Sequence, residues 1–176
     1  MVEQEYLLKI CVLCCPDELL TPSLCSYADR TPNSSTRSSL GVLAPFPTKQ
    51  ITANNNNIKL ILDDISTKEF FDKLRPTYFR GASAAVFAFS KADRTFFKSA
   101  IKHYHEFRTH IPDLAVPVAF IGLRADSEVV PQVEGQSLAQ ECGATYFEMA
   151  VDDLSTFDAV VRSLVQQVLT HKGQSV

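Results

Sequence analysis

Apolar residues come along this chain in short blocks set between polar stretches, and the blocks differ in period. Tyr6–Cys14 (Tyr-Leu-Leu-Lys-Ile-Cys-Val-Leu-Cys) is short and nearly continuous, the pattern of a strand covered on both faces. Residues 29–39 are polar and rich in serine and threonine, which predicts an exposed connecting loop. Gly41–Thr52 and Ile58–Leu62 read as paired strands around Asn54-Asn55-Asn56-Asn57, because asparagine tolerates the left-handed backbone of a hairpin tip. Further along, strand and helix signals alternate. Ser83–Ser90 and Val116–Gly122 predict core strands, and between them Phe96, Phe97, Ala100, Ile101, Tyr104 and Phe107 fall on the inner side of a helix. A short helix over Gln132–Cys142 and a last strand over Ala144–Met149 follow. Leu154, Phe157, Val161, Leu164 and Val168 then recur at steps of three and four, an amphipathic helix with Ser155 and the Asp152-Asp153 pair suited to its start. Alternating strands and helices make an α/β domain, a mostly parallel sheet with helices on both faces.

Composition narrows the function. The 176 residues are most simply one domain over 1–176 with a short tail at 170–176, and 45% hydrophobic against 21% charged residues is ordinary for a globular chain. A net charge of −3 leaves no basic excess to neutralise phosphates, which argues against general nucleic-acid binding. No apolar run reaches the ~18 residues of a membrane span. The acidic start Met-Val-Glu-Gln-Glu is unlike a secretory signal, and the end His-Lys-Gly-Gln-Ser-Val lacks the cysteine box of a lipid anchor. Five cysteines, an odd number at low density, suit a reducing compartment, so a cytoplasmic setting is expected and the Asn33-Ser34-Ser35 sequon carries no weight. Only six glycines are present, where average usage of about 7% predicts about 12.

Several segments then carry a resemblance. Ile58-Lys59-Leu60-Ile61-Leu62-Asp63-Asp64 is similar to a strand entering a D-x-x-G motif, and Leu74-Arg75-Pro76-Thr77-Tyr78-Phe79-Arg80-Gly81-Ala82 to the L-R-P-x-Y-Y-R-G-A helix after it. Ile121-Gly122-Leu123-Arg124-Ala125-Asp126 stands where V-G-N-K-x-D is expected, and Tyr146-Phe147-Glu148-Met149-Ala150 where F-E-T-S-A-K is. From about Tyr6 to Leu169 the chain resembles the Ras superfamily, in its Rab branch. The resemblance implies a single-domain Ras-like G-domain fold with a six-stranded, mostly parallel sheet, and a site for GTP or GDP with magnesium.

The nucleotide motifs depart from that pattern. The phosphate loop G-x-x-x-x-G-K-S/T falls on Cys14–Thr21, where Cys14 and Leu19 replace the glycines and Leu20 replaces the lysine. Glycine lets such a loop bring its N–H groups close to phosphate, and Pro16 removes one donor. Asp17 and Glu18 add carboxylates where the ligand brings negative charge, a repulsion of kilocalories in a partly desolvated pocket. Thr67 stands for the glycine that senses the γ-phosphate and Lys68 for the water-positioning glutamine, whose acceptor oxygen lysine lacks. Leu123 replaces the base-reading asparagine, and Ala150 and Asp152 the last motif's serine and lysine. Four positions match: Thr21, Ser39 (eighteen residues on), Asp64 and Asp126. They are vestigial nucleotide and magnesium positions or, on the plainer reading, loop caps and solvated side chains. The glycines, at 41, 81, 122, 135, 143 and 173, all miss the two phosphate-contacting loops.

The expected function is therefore a pseudo-GTPase, a protein-binding subunit or adaptor with no catalytic residue, no cofactor and no metal. Its partner would meet the two switch-like segments, 31–48 and 66–80, through Phe46, Phe70, Phe71, Tyr78 and Phe79, aromatic side chains that serve as interface anchors or as core. Two alternatives stand beside it. One is a divergent GTPase switch for signalling or vesicle traffic that binds GTP or GDP. The other is a redox-sensitive thiol protein using Cys14 and Cys15 at the end of the first strand. Cys11 and Cys14, three apart on a strand, point to opposite faces and form no metal site, so the plainer reading of these cysteines is buried structural thiols. His103, Glu106 and His110 share one helix face in principle and read as a solvated polar face.

Overall fold

A computed structural model describes residues 4–28 and 46–173. The elements run β1 (Glu5–Cys15), α1 (Thr21–Tyr27), β2 (Thr48–Ala53), β3 (Asn56–Ile65), α2 (Arg75–Phe79), β4 (Ala84–Ser90), α3 (Arg94–His110), β5 (Val118–Leu123), α4 (Gln132–Glu141), β6 (Thr145–Met149) and α5 (Leu154–Gly173). They build the expected α/β domain. One six-stranded sheet has the order β2-β3-β1-β4-β5-β6, and only β2 runs antiparallel to its neighbour.

The sequence periods explain this arrangement. β1 pairs in parallel with β3 and with β4, so it needs apolar residues on both faces. Leu8, Ile10, Val12 and Cys14 enter the layer beneath α1 and α5. Cys11 and Leu13 enter the opposite layer, with Phe87, Phe120 and Phe107. Cys11 and Cys14 thus part to opposite faces as their spacing predicts. Asn54 and Asn55 take positive φ (50° and 61°) at the β2–β3 hairpin tip, which leaves Asn56 free to start β3. β2 begins only at Thr48: Pro47 has no N–H to offer a ladder, and its carbonyl accepts from Leu62 N–H at 2.9 Å.

The last helix is longer than its apolar stripe suggests and runs on to Gly173, through most of the stretch expected as a tail. Its first turn is capped by Asp153, not Ser155: the Asp153 carboxylate accepts from Thr156 N–H at 3.0 Å and from its hydroxyl at 2.6 Å. Those two bonds hold the carboxyl below its ordinary range. α3 packs on the second layer through Phe97, Ala100, Tyr104 and Phe107. Edge-to-face contacts join Phe79 to Phe107 (5.2 Å between centroids) and Phe87 to Tyr104 (5.8 Å).

This topology decides where a site can lie. β1 sits between β3 and β4, so the strand order reverses there, and the carboxyl end of β1 is where an open sheet of this kind places a ligand. The loops after β1, β3, β5 and β6 share that edge of the sheet.

Candidate functional site

The loop after β1 is folded on itself. Leu19 N–H donates to Pro16 O at 3.3 Å and Thr21 N–H to Glu18 O at 3.1 Å, so two amides that a phosphate loop would present are turned inward. Glu18 carries a φ of 66°, the left-handed conformation in which a β-carbon is strained. Leu20, at the lysine position, is 0% exposed and belongs to the α1/α5 apolar layer, while Leu19 is partly exposed. The loop offers no ammonium at that position.

Behind the loop, Thr21 and Asp64 meet. The threonine hydroxyl donates to the buried Asp64 carboxylate at 2.6 Å, so these two of the four predicted positions are brought together. Asp126 lies in the exposed loop after β5, two strands from β1 in the sheet. Its neighbour Leu123 is buried in the core. Ser39, with residues 31–45 of the first switch-like segment and the 41–45 part of the expected strand, lies outside the described residues. The loop after β5 is anchored by Lys91, which is buried and pairs with Glu128 (2.8 Å) and Glu148 (2.7 Å). Burial works against its charge, but the two carboxylates prevail and raise the ammonium's pKa.

Asp17 has a different place from the one its charge suggests. Its Oδ1 accepts from Thr67 N–H at 3.1 Å and its Oδ2 from the Ser66 hydroxyl at 2.9 Å. The Thr67 hydroxyl donates to Cys14 O at 2.8 Å. The β1 loop and the start of the second switch-like segment are thereby stitched together.

From the other side the same turn is held by Arg75. This guanidinium is 1% exposed, and its Nε and Nη2 donate to the carbonyls of Ser66 and Lys68, each at 2.9 Å. Its Nη1 pairs with Asp72 (2.9 Å) and Glu106 (3.0 Å). His103 Nδ1 lies 3.2 Å from Glu106 Oε2. The polar face expected of α3 is therefore corrected. His103 is buried and Glu106 half-buried, because α2 packs over them and delivers a cation; His110 alone is exposed. The sequence carried no local signal for this cluster, because Arg75 stands between exposed Leu74 and half-buried Pro76 and reads as a surface cation like Arg80.

This cluster gives a pH prediction. Burial, with Arg75 and Lys102 adding to it, holds His103 below the ordinary imidazole value of 6.5, and the bond to Glu106 opposes them only partly. The unfolded chain then binds the proton first, so stability is full above about 6.5 and is lost as pH falls toward the folded value. A melting-temperature series from about pH 8 to about pH 5, above the carboxylate range, should decline in its acid half. H103Q should flatten that decline; an equal decline in H103Q would exclude His103 as its source.

The β1 thiols are buried, as the plainer reading of them expected, and the redox alternative loses its accessible cysteines. Cys14 is 1% and Cys15 4% exposed, because β1 extends one residue further than its apolar run indicates and takes both into the interior. Burial raises the Cys15 pKa to about 11 and that of Cys11 to about 12, and drives Cys14 higher still, so a reactive thiolate is not available at the strand end. Of the aromatic candidates, Phe71, in a 3-10 turn before α2, and Phe79, at the end of α2, are core, at 1% and 0% exposure, in the layer that α3 and β4 line. Tyr78 is half-buried, and Phe70 and Phe46 are exposed at 59% and 40%. Among the described residues no group of three or more His, Cys, Asp or Glu side chains could hold a metal ion.

Comparison with known proteins then fixes the ancestry. A family model described as "Ras family" matches residues 22–170. The chain belongs to the Ras family. Ras-related protein RABA5d from Arabidopsis thaliana is 25% identical over 96% of this chain and 77% of its own length. Ras-related protein Rab-31 from Rattus norvegicus is 27% identical over 71% of this chain and 65% of its own length. Ras-related protein Rab-3B from Homo sapiens is 23% identical over 98% and 78%. The Ras-family match begins at residue 22, directly after the 14–21 loop. Tested against the guanine nucleotide and magnesium of the Ras family, the residues divide. Thr21 and Asp64 suit the metal end. The 14–20 loop does not suit the phosphates, because it turns amides inward, buries leucine at the lysine position and sets the Asp17 carboxylate against Thr67.

Proposed function

We propose that this Ras-family chain is a Rab-like pseudo-GTPase, a non-catalytic protein-binding subunit or adaptor in which nucleotide binding is weak or lost. One observation carries the reading: Leu20, where the resemblance puts the phosphate-binding lysine, is completely buried in the apolar layer under α1 and α5. A triphosphate at the end of β1 would find no ammonium at that position and would lie beside the Asp17 carboxylate that already occupies the Thr67 N–H. Buried or paired charge governs such a pocket, where repulsion is far stronger than in water. The partner is a protein, bound through segments 31–48 and 66–80, with Phe70 and Phe46 as anchors. No helix among the described residues is long and apolar enough to cross a membrane.

A second reading, a divergent switch that binds GTP or GDP with magnesium, is favoured by the Rab-named relatives and by the Thr21–Asp64 pair. Nucleotide content decides between them. Protein purified in magnesium, denatured and run on an anion-exchange column should release no guanine nucleotide, and titration with fluorescent GDP and GTP should show no saturation up to millimolar. Stoichiometric GDP in the purified protein would remove the pseudo-GTPase reading and leave the switch.

A further inference from the structure

We infer that the Asp17 carboxylate is a built-in anion that takes the place of a ligand phosphate on the 66–68 turn, and so fixes the second switch-like segment in one arrangement with no nucleotide present. The inference deepens the pseudo-GTPase reading and rests on it for its meaning, though not for its test.

The turn is bracketed by opposite charges. On its N–H side stands a carboxylate from the β1 loop: Thr67 N–H donates to Asp17 Oδ1 at 3.1 Å, and the Ser66 hydroxyl to Oδ2 at 2.9 Å. Lys68 N–H in turn donates to Ser66 Oγ at 3.2 Å, so the amides of both Thr67 and Lys68 are oriented by one anion, the second through a hydroxyl relay. On its C=O side stands a cation: the Arg75 fork takes the Ser66 and Lys68 carbonyls at 2.9 Å each. The Ser66–Thr67 peptide thus has an anion at its N–H end and a cation at its C=O end, and its dipole is doubly stabilised. Bonds of this kind, with one partner ionised, are roughly twice as strong as neutral ones.

Thr67 is the position that the resemblance assigns to the γ-phosphate sensor. Its N–H finds an oxygen anion all the same, but one supplied fifty residues away in the same chain. A phosphate comes and goes, whereas a side chain stays. The consequence is a segment presenting Phe70 in a constant pose, which suits a constitutive adaptor and not a timed switch.

Hydrogen–deuterium exchange of nucleotide-stripped protein tests this, read by mass spectrometry on peptides covering 66–74. D17A should speed exchange there at least about tenfold, with β4 and α5 peptides unchanged as the control for folding. D17N, which keeps a neutral acceptor oxygen, should fall between D17A and the native protein. Exchange of 66–74 in D17A within about twofold of native would overturn the inference and leave the turn held by Arg75 and the Thr67–Cys14 bond. The nucleotide assay above is scored separately. Bound GDP with a loosened D17A segment would refute the pseudo-GTPase reading and retain the Asp17 latch; empty protein with an unaltered segment would do the reverse.

Discussion

Replacing Arg75 with alanine is expected to destabilise the protein by about 3–5 kcal/mol, the range found when one partner of a buried ion pair is removed. The reason is what would be left behind. Glu106 would lose the guanidinium 3.0 Å from its carboxylate, and the Ser66 and Lys68 carbonyls would lose their donors, Ser66 being fully buried. For a domain of this size each kilocalorie is worth roughly 2–4 °C in melting temperature, so a fall of about 6–20 °C is expected. R75K should recover only part of it, since a lysine ammonium cannot reach two carbonyls and two carboxylates from one planar fork. R75M/E106L, which removes both charges, should be more stable than R75A. Thermal melts of the three variants measure this, and an R75A melting temperature within about 2 °C of native would show that the cluster is not under tension from its charges.

Phe79→Ala should cost about as much, about 3–5 kcal/mol, for a different reason. Phe79 has no exposed surface and stacks edge-to-face on Phe107 at 5.2 Å; truncation leaves a cavity between α2 and α3 that a packed layer does not close. Phe70, nine residues earlier and 59% exposed, should behave in the opposite way. F70A should stay within about 0.5 kcal/mol of native, as surface substitutions do, while weakening capture of a partner protein. Urea denaturation of the two variants separates the roles. A destabilised F70A beside a native-like F79A would reverse the assignment of core and surface in this segment.

Parts of this architecture were legible residue by residue. The continuous run at Tyr6–Cys14 announced a strand buried on both faces, and β1 is the strand between two parallel neighbours. The four asparagines announced a left-handed hairpin tip, and Asn54 and Asn55 supply it. The stripe at 154–168 announced α5 and its buried face. The replaced phosphate-loop positions were equally plain, since a motif is a local spacing. Less legible was the sense of each replacement. Asp17 read as an added repulsion for a ligand, yet in the fold it has donors of its own. Cys14 and Cys15 read as buried thiols, with access at the strand end left open as an alternative; parallel pairing with β4 continues to Cys15 and closes it.

The sequence by itself determined the order of strands and helices, the faces that must be buried, and the absence of a lysine and glycines where a phosphate loop needs them. Local spacing and hydrophobic period are enough for that, because each depends only on residues a few positions apart. Only the tertiary structure decided which polar groups would find one another. Arg75 and Glu106 are 31 residues apart and Asp17 and Thr67 are 50 apart, and no periodicity relates such pairs. They meet because crossing helices and parallel strands bring the β1 loop, the β3 loop, α2 and α3 to one edge of the sheet. A buried polar group must be paired wherever the chain brings it; with whom is settled by topology.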